Sequence, residues 1–452
     1  MMAMQLSEAA ALLKARYTGP DTRFAGISTD TRTLSATNLF FALAGPRFDG
    51  HDHVAEAQAR GAAAAAVSRP VASALPLLQV ADTRLALGEL ARQWRGRFSI
   101  PVIGVTGSNG KTTVKEMLAA ILAGQGPVLA TQGNLNNDIG VPLTLARLAS
   151  EHRSAVIEMG ANHSGEIAYL ARLARPTVGI VTNAGPAHLE GFGSLEAVAR
   201  AKGELFAALS ETAVAVINAD DRFAPLWREL AQARRVLSFG LEVPADVGAS
   251  YTSTREGTQL QLNTPRGSIE VCLPLLGRHN VINALGAAAA ALAAGAELAQ
   301  IRAGLEGLAS VSGRLQCKRR ADGGLVIDDT YNANPASLRA AIDVLCDFPG
   351  ERWLVFGDMG ELGDDTAALH AEVGAYASAA GIERLFTLGD LARQAALAFG
   401  DRAQAFSDFE HLISSMRDAL RTDVSLLVKG SRRMGMERVV QALVDPAAGG
   451  RA

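Results

Sequence analysis

Cysteine is scarce in this 452-residue chain: Cys272, Cys317 and Cys346 are widely spaced, odd in number and form no CxxC pair. That pattern suggests neither a disulfide framework nor a zinc site, and leaves buried thiols in a reducing cytoplasm as the plain reading. Basic charge is not in excess either. A net charge of −3 gives no support to a nucleic-acid partner, while a local basic pocket for a phosphorylated small molecule stays open. The most apolar long stretch, residues 284–298, is alanine- and glycine-rich and too short to span a bilayer. The N-terminus lacks the charged-then-apolar order of a signal peptide. A cytoplasmic protein without membrane insertion is expected, and a monomer is the default.

What is present is the balance of a globular protein, 48% apolar and 20% charged, on a chain too long for one ordinary core, so two to four domains are expected. Residues 1–98 mix short β-like runs (38–43, 77–80) with alanine-rich stretches that read as helix, such as 54–67. The character changes near Pro101. Short apolar runs at 102–105, 155–158, 178–181 and 214–217 alternate with helical stretches, which predicts a largely parallel sheet covered by helices. Residues 260–273 read as strands around a Thr-Pro-Arg-Gly turn, and 280–308 as helix-rich. A third unit follows Gly313, with strands at 325–327, 353–356, 384–388 and 425–428 between helices, the pattern of a second doubly wound sheet. The fold class is therefore α/β in three domains: a small mixed N-terminal domain (1–98), a central phosphate-loop domain with a parallel sheet (99–312) and a Rossmann-like C-terminal domain (313–452).

The strongest local signal is Gly107-Ser108-Asn109-Gly110-Lys111-Thr112-Thr113, set between a strand and a helix. Glycines let successive backbone N–H groups point at phosphate oxygens, the helix N-terminus favours the anion, Lys111 reaches the outer phosphates and a threonine hydroxyl ligates Mg²⁺. The common form of this loop opens on a glycine where this chain has Val105. ATP is the expected ligand. Glu158 closes a strand-like run, where its carboxylate would face the crevice and the metal; its plain alternative is a solvated strand-end acid. His188 also follows a strand and could ligate metal, although a lone loop histidine is more often simply exposed.

These segments, with residues 134–137, 158–162, 183–190, 201–204, 277–283, 328–335 and 429–431, resemble in order and spacing the Mur ligases, enzymes that build the peptide stem of bacterial cell-wall precursors. The likeness covers nearly the whole chain. It implies an ATP-dependent ligase in which a substrate carboxylate attacks the γ-phosphate and an amine then attacks the acyl phosphate. Residues 328–335 point, within the family, to UDP-N-acetylmuramoyl-tripeptide and D-alanyl-D-alanine as the partners joined. Residues 28–32 and 48–52 look like the family's uridine-nucleotide domain, with Ser28 and Asp30 as substrate contacts, and the C-terminal domain would take the dipeptide.

The resemblance further implies two Mg²⁺ ions held with the help of Thr112, Glu158, His188 and Lys202, the last after CO₂ converts its amine to a carbamate. An unmodified Lys202 pairing with phosphate or a neighbouring acid is the alternative. Asn280 and Asn283 lie three apart and suit the adenine edge, with helix capping by Asn280 as the other reading. Asp329 suits the ribose hydroxyls and Tyr331 the adenine face. Arg314 could reach a phosphate on domain closure or be a surface arginine. Asn136, Asn332, Asn334, Lys429 and Ser431 complete the expected substrate contacts. Competing functions are a phosphate-loop switch driven by hydrolysis, a bare nucleotide-binding module, and a family ligase that adds a different amino acid.

Overall fold

The computed structural model describes residues 1–46, 48–186, 189–254, 257–308 and 313–444. Three α/β domains surround one cleft. The N-terminal sheet runs in the order Arg16–Thr18, Leu77–Gln79, Ala64–Val67, Leu39–Phe41, Ile27–Ser28; only its first strand is antiparallel. One expectation fails here. The alanine-rich stretch from 54 is helical only over Val54–Ala59, and Gly61 at φ +86° turns the chain into the strand Ala64–Val67. All four strand residues are buried between two parallel neighbours. Alanine's helix preference is a few tenths of a kcal/mol over most residues, and burial on both sheet faces overrides it.

The helix Thr83–Arg95 joins this domain to the next. Asp82 caps it, accepting from the backbone N–H of Arg84 and Leu85. Leu87, Leu90 and Trp94 share one core with Leu145, Leu148 and Leu170, and Trp94 Nε1 donates to Leu148 O at 3.1 Å.

Six parallel strands form the central sheet, ordered Val128–Ala130, Ser154–Glu158, Val102–Thr106, Val178–Val181, Val214–Asn218, Arg235–Phe239. Successive crossovers leave Val102–Thr106 first to one side and then to the other. The turn after that strand therefore lies at the topological switch point, where a crevice opens at the strands' carboxyl ends. The expected strands at 102, 155, 178 and 214 are all present. The edge strands Val128–Ala130 and Arg235–Phe239 were not anticipated. Nor was the third strand, Gly248–Ser253, of the antiparallel sheet it forms with Thr258–Thr264 and Gly267–Leu273.

Helix Lys111–Ala123 covers the sheet and is itself covered by Arg278–Ala293 and Leu298–Glu306, which meet at Gly295. Gly304 sits so close that a Cβ there would collide with the backbone of Ile121. Gly304→Ala should lower the melting temperature: overpacking costs about 1–3 kcal/mol, against about 1 kcal/mol gained from helix propensity. An unchanged or higher melting temperature would show that the two helices separate freely.

The C-terminal sheet has the order Gln316–Arg319, Leu325–Asp329, Val424–Lys429, Glu351–Gly357, Arg384–Leu388, Ala403–Phe406. Its first strand is antiparallel and the other five are parallel. The edge strands Gln316–Arg319 and Ala403–Phe406 are additions to the expected set. No helix among the described residues is long and apolar enough to cross a membrane.

Candidate active site

A cleft of about 1600 Å³ runs between the three domains. Its floor is the turn between Val102–Thr106 and Lys111–Ala123. Gly107 (φ +146°) and Gly110 (φ +80°) adopt backbone that side-chain-bearing residues avoid. Gly110 also has no room for a Cβ, which would collide with Asn283 Oδ1. The turn is braced from Val178–Val181 onward: Asn109 N–H donates to Asn183 Oδ1 (2.9 Å), and Thr182 Oγ1 donates to Asn109 O (2.6 Å). Ser108 Oγ donates to Gly185 O at 3.0 Å. Lys111 Nζ donates to the carbonyls of Gly107 and Ser108 at 2.6 and 3.2 Å. Desolvation lowers its pKa, Glu158 opposes that, and Arg314 adds to it.

Glu158 ends its strand 2% exposed. Asn136 Nδ2 donates to Oε1 at 2.9 Å, and the Glu158 N–H donates to Thr131 Oγ1. Oε2 is buried with no hydrogen-bond partner. A buried carboxylate oxygen left unpartnered is costly unless something positive meets it. Glu158, Thr112 and the loop thus fit a hard cation. No group of three or more His, Cys, Asp or Glu side chains able to hold a metal exists among the described residues. His188 lies outside the described residues.

Lys202 lies behind the cleft wall rather than on it, 2% exposed, with Nζ 3.4 Å from Ala161 O and over the Phe192 ring. Burial first, then the charge on Lys111, pull its pKa down to about 7, against the pull of Glu166 and Glu204. Glu204 is itself occupied, accepting from the N–H groups of Gly165 and Ala168 at the start of helix Glu166–Ala174.

Asn280 and Asn283 are buried on helix Arg278–Ala293, whose N-cap is Gly277. Asn280 Nδ2 donates to Leu276 O, and Asn283 Nδ2 to Asn280 Oδ1. Asn280 is thus inside the first turn and donates, so it is not the cap. Beside them is His279, which burial holds down to about 4 and so neutral near pH 7.

The C-terminal domain reaches the loop directly. Arg314 Nη2 donates to Thr112 Oγ1 at 3.1 Å, and its guanidinium lies 4.4 Å from the Tyr331 ring centroid. Asn334 Nδ2 donates to Asn109 Oδ1 at 2.7 Å. Asn334 also caps helix Pro335–Cys346 in a reciprocal pair with Ser337, so both faces of its amide are used. Asp329 and Lys429 form a buried ion pair, and Lys429 Nζ donates to Asn332 O at 2.9 Å. Lys429 is therefore already neutralised, and Asp329 Oδ1 accepts from Leu315 N–H at 3.3 Å. Asn332 is exposed on the cleft wall, and Ser431 lies there with its buried Oγ unpartnered.

Ser28 and Asp30 are not brought to this cleft. They bond each other across the backbone, and Asp30 takes Arg32 in a forked pair. Conversely, Asp82, Arg84, Leu85, Asp138 and Tyr169 line the cleft without having been anticipated. No local motif marks them.

A phosphate cradle and a buried carboxylate with one oxygen unpartnered, facing a second α/β sheet across a cleft, describe an enzyme that spends a nucleotide to activate one substrate for another. Three family models match accordingly: Mur ligase family, catalytic domain, over residues 23–95; Mur ligase middle domain over 105–291; and Mur ligase, glutamate ligase domain over 313–432. The chain belongs to the Mur ligase family and is an ATP-dependent ligase. It is 46% identical to UDP-N-acetylmuramoyl-tripeptide–D-alanyl-D-alanine ligase of Escherichia coli (strain K12), over 98% of this chain and 99% of that one. A solved UDP-N-acetylmuramoylalanyl-D-glutamyl-2,6-diaminopimelate–D-alanyl-D-alanyl ligase from Acinetobacter baumannii superposes with a TM-score of 0.90 at 38% identity, covering 98% of each chain. The MurF ligase of Thermotoga maritima, solved in complex with ADP, gives 0.82 at 29% identity, covering 92% of this chain and 96% of that one.

Proposed function

We propose that the chain joins the amine of D-alanyl-D-alanine to the terminal carboxylate of UDP-N-acetylmuramoyl-tripeptide, using ATP and passing through an acyl phosphate. The observation that carries this reading is the convergence of Lys111, Thr112 and the unpartnered Glu158 Oε2 on a cleft that the other two domains also line. Likeness to the Escherichia coli ligase over 98% of this chain supports that choice of substrates.

In this reading the loop N–H groups and Lys111 hold the γ-phosphate in line with the incoming carboxylate, and positioning and charge neutralisation do most of the work. Thr112 and Glu158 would hold Mg²⁺, and His188 and Lys202 a second ion; bound there, the metal neutralises charge on the transferring phosphoryl group. Lys202 suits modification by CO₂, in which the neutral amine attacks carbon, forms an N–C bond and releases a proton to leave a carbamate. Burial that favours the neutral amine supports that step. Asn280, Asn283 and Tyr331 take the adenine, and Asp329 the ribose. Arg314 takes a phosphate, and Asn332 and Ser431 the dipeptide. Residues 1–98 bind the uridine nucleotide, with Ser28 and Asp30 as contacts, 99–312 bind ATP, and 313–452 bind the dipeptide.

The test is phosphate release from ATP with UDP-N-acetylmuramoyl-tripeptide, with and without D-alanyl-D-alanine. Release that requires both, with a new amide by mass, is expected. Release indifferent to the dipeptide would return the protein to the switch-like reading.

A further inference from the structure

Arg84 and Asp138 are 54 residues apart and meet at the cleft wall where the N-terminal and central domains join. The pair is forked: Nη2 donates to Oδ1 at 2.7 Å, and Nε meets Oδ2. Arg84 Nη1 makes no hydrogen bond among the described residues, and each carboxylate oxygen keeps a second lone pair. The Arg84 side chain is 51% exposed and that of Asp138 33%. Beside them Leu85 exposes 59% of its surface, and Tyr169 and Leu170 line the same cleft. Asp82, the next acid on this wall, is committed to capping its helix.

This pair lines the same cleft as the reaction centre. Asp138 is two residues from Asn136, whose amide is bonded to Glu158. Two residues of chain span at most about 7 Å, so the backbone of Asp138 cannot lie farther than that from Asn136. The third residue of the tripeptide carries the carboxylate that becomes activated, so its side chain must extend from that centre along the cleft wall.

We infer that Arg84, Asp138 and Leu85 form the subsite that reads the third stem residue, and that it selects a zwitterionic side-chain end of the diaminopimelate kind over a plain ammonium. The inference rests on the ligase reading above and names residues for it. A zwitterion docks against the ion pair without opening it. Its carboxylate meets the free Nη1 face of Arg84, its ammonium meets the outer lone pairs of Asp138, and its methylene spacer covers Leu85. A lysine side chain offers Asp138 an ammonium, but brings that charge beside Arg84 without a carboxylate for the free Nη1 face. Discrimination then comes as much from the repulsion of the wrong ligand as from attraction of the right one.

The experiment compares kcat/KM for two forms of UDP-N-acetylmuramoyl-tripeptide, one ending in meso-diaminopimelate and one in lysine, with ATP and D-alanyl-D-alanine saturating. Wild type should prefer the first by about tenfold or more. Arg84→Met should bring the ratio close to one, with the loss carried mainly by KM for the diaminopimelate substrate. Asp138→Asn should weaken both substrates, since both present an ammonium. Melting temperatures establish that each variant is folded. Equal losses on both substrates in Arg84→Met would make the pair a mere clamp between domains and overturn the inference, as would a wild type indifferent to the third residue. That last result would leave the ligase reading intact. Wild type inactive on both substrates would bring down both readings.

Discussion

Glu158→Gln is expected to lose ligation by about a hundredfold or more, because on the proposed reading its carboxylate would hold a metal at the phosphoryl centre, a contribution of several kcal/mol. The substitution keeps the shape of the side chain and the bond from Asn136, so the fold is retained. Its stability is expected to change little. Glu158 Oε2 is a buried oxygen without a partner, so removing its charge relieves a desolvation cost, but it also removes the charge that opposes the desolvation of Lys111. Kinetics of phosphate release, paired with thermal melting, check both halves. Near-normal turnover in Glu158→Gln would sink the assignment. Loss of activity with a sharp fall in melting temperature would recast Glu158 as a structural residue.

Lys202→Ala should be as damaging, and wild-type activity should depend on dissolved CO₂. The sign of the pH dependence follows from the amine. Its pKa sits at about 7, far below that of a free lysine, because it is buried and faces the charge on Lys111. Above that value the amine is neutral and can attack CO₂; below it the ammonium cannot. The neutral fraction grows as pH rises through about 7. Carbamate formation, and activity with it, therefore falls as pH drops through 7. Labelled bicarbonate followed by NMR reads the carbamate directly. Full turnover in CO₂-free buffer with no label incorporated would restore the unmodified lysine paired with phosphate.

Parallel strands buried on both faces leave a trace in sequence, which is why residues 102–105 and 178–181 could be read as strands before any coordinates. The same burial misled at Ala64–Val67, where four small apolar residues carry no β-branched signature until Val67 and read as helix. Short or polar edge strands, Gln316–Arg319 and Ala403–Phe406 among them, have half-exposed patterns that resemble loop. In the cleft, Lys111, Glu158 and Asn283 were legible because each sits in a compact motif whose residue types suit phosphate, metal or base. Arg84 and Asp138 were not, since their pairing exists only once two domains meet. The engagement of Lys429 by Asp329, across 100 residues of chain, was hidden for the same reason.

The bond from Arg314 to Thr112 makes nucleotide loading and domain position two sides of one equilibrium. A hydroxyl that accepts from a guanidinium cannot also meet a divalent cation without bringing two positive groups onto one oxygen. On the proposed reading, in which Thr112 would hold the metal, loading the loop would move Arg314 from Thr112 toward a phosphate, and with it the stretch that leads into the C-terminal sheet. By reciprocity, the factor by which nucleotide shifts the C-terminal domain equals the factor by which that domain's position changes nucleotide affinity. The same proposal would have the nucleotide arrive before the dipeptide, whose domain moves with Arg314.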